Sequence, residues 1–425
     1  MCYYGVVKIM NIWIIGIGEP LIIDSENVRL RRAGNLAKYI SEKNELHYYS
    51  VSFDHYKKKQ RTEKNQTFRI NDNYYLHIAR VPGYKRNVSL QRVISHKVSA
   101  KRIKSLMYKH VKINKPNVIL IGNTPLELLK TVAKFGKRNG VNVVVDFRDL
   151  WPDIFIDVAP RYLRLLVNIY IKFSRMSLKR ALKNVTSVVG LSSAFMEYGL
   201  ELASRNKGKF DVVIPIGYPN YNYNVTIDEF NHLWGEYGLN TEDFIIAFTG
   251  NFGKQFNFKE IILAANNLVS EESIKFVLCG SGENLHEVKR LCPSNVIFPG
   301  WVEKDMITSL LQYASVGIAP YIDSFNYRNN TPNKFGEYLS AGLPILVSVS
   351  GLMEEYLTTY KCGFRYKDGN HLAELIMNYK SSPEKLFKAR REARNLYEKE
   401  FELNKINEKY YNHLINVAET CTTKK

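Results

Sequence analysis

The stretch Asn329-Asn-Thr-Pro-Asn-Lys-Phe-Gly-Glu-Tyr-Leu-Ser-Ala-Gly-Leu-Pro-Ile-Leu346 reads as a capped helix running into a buried strand. Thr331 supplies an N-cap, and Pro332 a proline at the first helical position, where its missing N–H leaves nothing unsatisfied. Asn333, Lys334 and Glu337 then fall in the first turns, with Lys334 and Glu337 three apart on one face. A helix N-terminus with a lysine beside it is an anion site. A carboxylate one turn deeper can accept two hydrogen bonds from a ribose diol. The plainer alternative is a capped surface helix carrying one ion pair.

Outward from this stretch, short apolar runs alternate with segments of helical length. Met10–Ile17, Leu46–Phe53, Val118–Ile121, Val141–Phe147, Val185–Leu191 and Val212–Ile216 are strand-like, with Val28–Lys43 and Pro125–Asn139 among the helical stretches between them. The pattern restarts with Phe244–Thr249, Ile274–Cys279, Val296–Phe298, Val316–Pro320 and Pro344–Ser348. Such alternation predicts an α/β fold with parallel sheets covered on both faces. Two successive series predict two domains, which suits 425 residues better than one core. The expected limits are 1–216, a linker over 217–242, a second domain over 243–380, and terminal helices over 381–425 that pack back across both.

Charge is split between the halves. Residues 1–210 hold 38 Lys/Arg against 15 Asp/Glu, a net +23, while residues 211–425 hold 22 against 26, a net −4. The two halves therefore meet different partners. Five scattered cysteines (Cys2, Cys279, Cys292, Cys362, Cys421) without C-x-x-C spacing argue against disulfides or zinc and for a reducing compartment. Met10 to Ile23 is broken by Glu19 and lacks a cleavage site, so it reads as a strand and loop, not a signal peptide. Met10 could equally be the natural start. No window reaches the ~18 uncharged apolar residues of a spanning helix.

Several strand ends carry polar or glycine-rich loops. Gly16-Ile17-Gly18-Glu19 follows the first strand, but Leu21 stands where the third glycine of a dinucleotide fingerprint belongs. Gly250-Asn251-Phe252-Gly253-Lys254 and Gly280-Ser281-Gly282 follow two later strands. Ligands of open α/β sheets sit at such carboxyl ends, and Lys254 could neutralise a phosphate or be an exposed surface lysine. Asp146-Phe147-Arg148-Asp149-Leu150-Trp151-Pro152-Asp153 places three carboxylates and an arginine beside a Trp-Pro corner. No isolated D-x-D follows a strand, so nothing calls for a metal. His55 and His96 read as surface histidines.

Together with Asn27-Val28-Arg29-Leu30, Ser52-Phe53-Asp54-His55 and Gly83-Tyr84-Lys85-Arg86-Asn87-Val88-Ser89, these motifs resemble glycosyltransferase family 4, the retaining enzymes of GT-B architecture. The resemblance runs from Met10 to the C-terminus and is closest to the WbuB-like branch of bacterial surface-polysaccharide transferases. It implies two Rossmann-like domains facing across a cleft: an N-terminal acceptor domain and a C-terminal nucleotide-sugar domain. It implies that Glu337 holds the ribose, that Asn333, Lys254 and Lys334 serve the nucleotide and diphosphate, and that Gly250, Asn251, Gly280 and Gly282 line the donor site. Gly16 and Gly18 would close over the phosphates, and the catalytic residues would be Arg148 and Asp149, near the transferred sugar, with Lys254. Asn329 stands where the family's E-x7-E motif has its first glutamate, and Asn251 where many members have arginine.

The implied reaction is metal-independent transfer of a hexosyl or N-acetylhexosaminyl group from a nucleotide sugar, expected to be UDP-linked, with no cofactor. The acceptor would be a lipid-linked sugar or oligosaccharide in capsule, O-antigen or exopolysaccharide assembly. Arg161–Arg180 interleaves six basic residues with aromatic and aliphatic ones, as an interfacial helix does. Arg161, Arg164, Lys172 and Arg175 would then meet an anionic membrane or the acceptor, placing the protein on the cytoplasmic face of the plasma membrane. Two rivals remain: a GT-B nucleotide-sugar epimerase, and a nucleic-acid-binding protein, for which no recognised module is present.

Overall fold

The computed structural model describes residues 9–26, 28–86, 89–220 and 224–420. Asn27, Asn87 and Val88 of the quoted motifs, Cys2, Cys421, and the side chain of Arg161 lie outside the described part. The strands in chain order are β1 (Asn11–Ile15), β2 (Glu45–Val51), β3 (Phe53–Asp54), β4 (Lys59–Gln60), β5 (Gln66–Arg69), β6 (Tyr74–Ala79), β7 (Val118–Gly122) and β8 (Asn142–Phe147). They continue with β9 (Ser187–Gly190), β10 (Val212–Val213), β11 (Phe244–Thr249), β12 (Ile274–Cys279), β13 (Val296–Gly300), β14 (Val316–Ala319), β15 (Ile345–Val347) and β16 (Gly363–Arg365).

The chain divides into two units. One runs to Ile214 and takes up the chain again at Asn407; the other is Pro215–Ile406. The first unit's sheet has the order β10-β9-β8-β7-β1-β2-β6-β5. Only β5, which meets β6, runs antiparallel within it. β1 is buried at all five positions because a central parallel strand has both faces covered. Helix Leu126–Asn139 covers one face through Leu129, Val132 and Phe135 and stops at Gly140, whose φ of 58° suits glycine. The second unit's sheet is β13-β12-β11-β14-β15-β16. Its core joins β11 (Ile245–Phe248) to Phe335, Tyr338 and Leu339.

Each sheet reverses its winding once, between β1 and β7 in the first unit and between β11 and β14 in the second. A crevice forms at such points, outside the carboxyl ends of the strands. The loops after β1, β7, β11 and β14 therefore frame the places where ligands fit.

Some elements differ from the sequence expectation. The expected linker holds a capped helix, Ile227–Trp234, opened by Thr226 and Glu229 in a reciprocal capping box. Phe230 and Trp234 are fully buried, and the Trp234 indole N–H donates to Ser309 at 2.8 Å. Helix Pro383–Leu396 lies within the second unit, while helix Leu403–Glu419 passes into the first at Asn407. The N-cap of the diagnostic helix is Pro332, with extended backbone, and Thr331 is buried one residue earlier. The helix proper is Asn333–Ser340, so proline stands just outside it and Thr331 does not cap it.

Candidate functional site

In the second unit, helix Asn333–Ser340 is buried from Lys334 to Ser340. Phe335, Tyr338 and Leu339 anchor it in the core, and each such burial is worth roughly 1.5–3 kcal/mol. Its far end closes with Gly342 at φ 66°, and Leu343 N–H donates to the Tyr338 carbonyl at 2.9 Å. Arg394 donates to the Ser340 carbonyl at 2.6 Å. The Tyr338 hydroxyl, accepting from Thr249 N–H at 3.0 Å, ties the helix to the end of β11.

Glu337 is 6% exposed and accepts from the Tyr218 hydroxyl at 2.6 Å and the Thr249 hydroxyl at 3.1 Å. Lys334, 8% exposed, projects its Nζ over Phe248, Phe256 and Tyr321, at 4.7, 4.5 and 5.7 Å from the ring centroids. A Cβ built on Gly250 would fall 2.6 Å from that Nζ. Burial lowers the Lys334 pKa to about 8, with Glu337 opposing the shift. The result is an ammonium held at the end of β11 in a largely aromatic setting, where an incoming anion gains more than it would from a lysine in water.

The glycine loops serve packing first. A Cβ on Gly280 would lie 1.7 Å from the Gly250 carbonyl oxygen, and φ there is 140°. A Cβ on Gly282 would lie 2.2 Å from the Asn251 side-chain oxygen. Phe252 N–H donates to the Ser281 carbonyl at 2.8 Å, locking the two loops together. Asn251, Lys254 and Asn333 are exposed. Lys254 keeps only a loose 3.9 Å approach to Glu283. Asn329 donates from its amide to the Phe325 carbonyl at 2.8 Å, closing the short helix Phe325–Arg328. The residues brought together are thus Lys334, Glu337 and Gly250, joined by Tyr218 and Thr249, which sequence reasoning did not single out. Tyr218 is 119 residues from Glu337, and no local spacing announces the pair.

In the first unit, Arg148 pairs with Glu19 and lies 3.7 Å from Asp146. Asp146 also takes a two-point contact from Arg32, at 2.9 and 3.2 Å. Glu19 in turn accepts from Ala33 N–H at the start of helix Arg32–Ser41, at 3.2 Å. The Arg148 guanidinium is therefore a strut joining the loop after β1 to the end of β8. A Cβ on Gly16 would strike the Tyr48 hydroxyl at 2.3 Å, whereas Gly18, at φ 78°, faces open space.

Beside these residues lies a cavity of about 220 Å³ lined by Gly18, His55, Tyr84, Arg92, His96 and Asp149, among others. Burial, then Lys58 and Arg92, lower the His55 pKa to about 4, and its Nδ1 meets the Tyr84 hydroxyl at 2.6 Å. Burial, then Arg92 and His55, lower the His96 pKa to about 4. Both imidazoles are neutral at pH 7. Burial raises the Asp149 pKa, with Arg148 opposing and Asp146 adding. Neither histidine is a surface residue of the ordinary kind; their position between basic residues and tyrosines was the available signal.

The outer side of helix Arg164–Leu182 is apolar and basic together. Leu165, Leu166 and Phe173 are 73%, 64% and 63% exposed, with Arg164 and Lys172 exposed among them. Arg175 is instead paired with Asp153 at 3.2 Å and Glu201 at 3.0 Å. Among the described residues no helix is long and apolar enough to cross a membrane.

Comparison with known proteins follows this division. Residues 233–396, inside the second unit, match the family Glycosyl transferases group 1. A curated relative, the uncharacterized glycosyltransferase MJ1607 of Methanocaldococcus jannaschii, is 26% identical over 144 residues, 32% of this chain. That match spans about a third of the relative's own length, 35%. Among solved structures, HepE (Alr3699) of Anabaena, determined in complex with UDP, is 14% identical over 96% of this chain and 100% of its own, with a TM-score of 0.64. Sucrose-phosphate synthase of Thermosynechococcus elongatus is 13% identical over 96% and 99%, with a TM-score of 0.67. HepE has also been solved with UDP-glucose. At these identities the likeness speaks for fold, and the fold is that of the GT-B glycosyltransferases: two Rossmann-like units with parallel sheets.

Proposed function

We propose that the chain is a retaining glycosyltransferase of family 4. It takes a hexosyl or N-acetylhexosaminyl group from a UDP-linked donor and passes it to a lipid-linked sugar or oligosaccharide of a bacterial surface polysaccharide. The observation that carries this reading is the buried Lys334–Glu337 pair at the start of a fixed helix, beside Gly250 at the winding reversal of the second sheet. Glu337 is held in place by Tyr218 and Thr249 to receive the ribose diol. Lys334 and the helix N-terminus take the diphosphate. The UDP and UDP-glucose complexes of HepE support a uridine nucleotide as donor.

The reaction asks for a leaving diphosphate to be stabilised as the anomeric C–O bond breaks. Lys334 and the helix dipole supply positive charge there without a metal. The acceptor hydroxyl attacks on the face the diphosphate leaves, and a phosphate oxygen takes its proton. The first unit's cavity, with neutral His55 and His96 able to accept a hydrogen bond, suits an acceptor sugar. Asp149 faces the same space, and Arg148 holds its loop. The exposed apolar and basic side of helix Arg164–Leu182 supports docking on the anionic cytoplasmic face of the membrane.

A panel of nucleotide sugars screened by thermal shift, followed by product analysis with and without a lipid-linked acceptor, tests this. Stabilisation by UDP-sugars and a product that requires acceptor are expected. Turnover of donor without acceptor points to an epimerase. Binding that ignores nucleotides and falls steeply with salt points to nucleic acid.

A further inference from the structure

Beneath helix Leu90–His110 the first sheet carries a polar cluster where aliphatic side chains would ordinarily fill the core. His47 is the third residue of β2, His77 the fourth of β6, and His110 the last of the helix. Register sets His47 opposite Tyr75 and His77 opposite Tyr49, so alternate side chains of both strands share one face. One ring nitrogen from each histidine lies within 4.8 Å of those of the other two. His77 is 4% exposed and the other two are half-buried.

Each imidazole is oriented through one of its nitrogens. His47 Nε2 meets the Glu45 carboxylate at 2.9 Å, and that carboxylate accepts from Asn114 at 2.9 Å. His77 Nδ1 meets the Thr67 hydroxyl at 2.9 Å, and His110 Nδ1 meets the Tyr49 hydroxyl at 2.9 Å. The second nitrogens of the three rings are His47 Nδ1, His77 Nε2 and His110 Nε2. The first two are 2.8 Å apart, their rings end to end with planes 9° apart. Carboxylate and hydroxyl partners on the far nitrogen are what orients a metal-binding histidine and raises its basicity.

From this geometry we infer that His47, His77 and His110 form a binding site for a divalent late first-row cation, zinc by preference, that pins β2 and β6 to the end of helix Leu90–His110. With metal–nitrogen bonds of about 2.0–2.1 Å, tetrahedral ligand nitrogens stand about 3.3 Å apart. The His47–His77 contact has to open by about half an ångström and His110 has to close in, which small ring rotations accomplish. Three neutral nitrogen donors without thiolate suit zinc over calcium or magnesium, which take oxygen. A water completes the shell. The site serves structure: His47 stands opposite Trp13 in the middle of β1, and helix Leu90–His110 brings His110 to the same level.

The full chain, stripped with a chelator and dialysed, is titrated with zinc chloride by calorimetry beside the variants His110→Ala, His47→Gln and Glu45→Gln, each checked for folding by circular dichroism. Wild type takes up one equivalent and its melting temperature rises. Glu45→Gln weakens binding about tenfold or more, and the two histidine variants weaken it further. Cobalt(II) gives the intense visible bands of a four-coordinate nitrogen site, lost on adding zinc. No uptake, weak six-coordinate cobalt bands, or equal affinity in wild type and the folded variants overturns the proposal; the cobalt spectrum of wild type decides the matter where a variant fails to fold.

Discussion

Replacing Lys334 with Met asks whether the second unit holds a cation partly out of water in order to bind an anion. Burial brings the Lys334 pKa from 10.5 to about 8. That drop corresponds to about 3 kcal/mol against the ammonium relative to water. Because the folded pKa lies below the unfolded one, the full cost is present below about pH 8 and disappears as pH rises towards 10.5, where the unfolded chain binds more protons. Methionine has similar length and no charge. Lys334→Met should therefore leave stability at pH 7 unchanged or raise it, by up to about 3 kcal/mol, less what the aromatic contacts give back. A diphosphate beside Nζ favours the charged form, so binding takes up a proton above pH 8. UDP affinity should be flat up to about pH 8 and then fall, by about thirtyfold at pH 9.5 if the complex restores an ordinary lysine pKa. The variant should bind at least about tenfold more weakly at pH 7 and show no such fall. Calorimetry across this pH range, with thermal unfolding alongside, gives both readouts. Wild-type affinity that ignores pH, or a variant that loses stability yet binds UDP normally, refutes the reasoning.

Three further outcomes are expected. Glu337→Ala should weaken UDP binding at least about tenfold in calorimetry and, by stranding the Tyr218 and Thr249 hydroxyls, lower stability by about 1–3 kcal/mol in chemical unfolding. Transfer activity should persist in excess EDTA, since Lys334 and the helix N-terminus supply the positive charge; complete loss restored by magnesium contradicts this. In vesicle co-sedimentation, binding should require anionic lipid and weaken with salt. Changing the exposed Arg164, Lys172 and Lys179 to Gln should reduce it by about 3 kcal/mol, near a hundredfold, whereas Arg175, already paired with Asp153 and Glu201, should matter little.

The periodic parts of the fold are readable because a central parallel strand has no solvent face. Phe244–Thr249 and Ile274–Cys279 coincide with β11 and β12 to the residue. β5 and β6 are not readable in the same way: three of the four residues of Gln66–Arg69 are polar, and Tyr74–Ala79 carries His77 in its interior. The three residues of β16 carry too little pattern to register. Lys334 and Glu337 are legible since their three-residue spacing puts them at one helix end. Tyr218 and Thr249 are not, because their roles arise from pairing with Glu337 across the second unit. Gly280, expected to line the donor site, also meets a steric demand that no motif announces: a Cβ there would lie 1.7 Å from the Gly250 carbonyl oxygen.

That demand bears on how the surroundings of Lys334 are built. An ammonium in aromatic surroundings is retained only if its position is over-determined, since water would otherwise reach it and relieve the cost. Every element around Lys334 has this character. Gly280 and Gly250 touch through backbone, which leaves no slack for the loop to lift. Tyr338 fixes the end of β11 by accepting from Thr249 N–H at 3.0 Å, and the Thr249 hydroxyl reaches on to Glu337. Phe248 and Phe256 close over Nζ from the side. A Cβ at position 280 would part the loops, admit water beside Lys334 and let its pKa return towards 10.5. Gly280→Ala, if it folds, should thus lose the steep pH dependence of UDP binding before it loses binding itself. Retention of that dependence in a folded Gly280→Ala protein would mean that the aromatic rings alone set the Lys334 pKa.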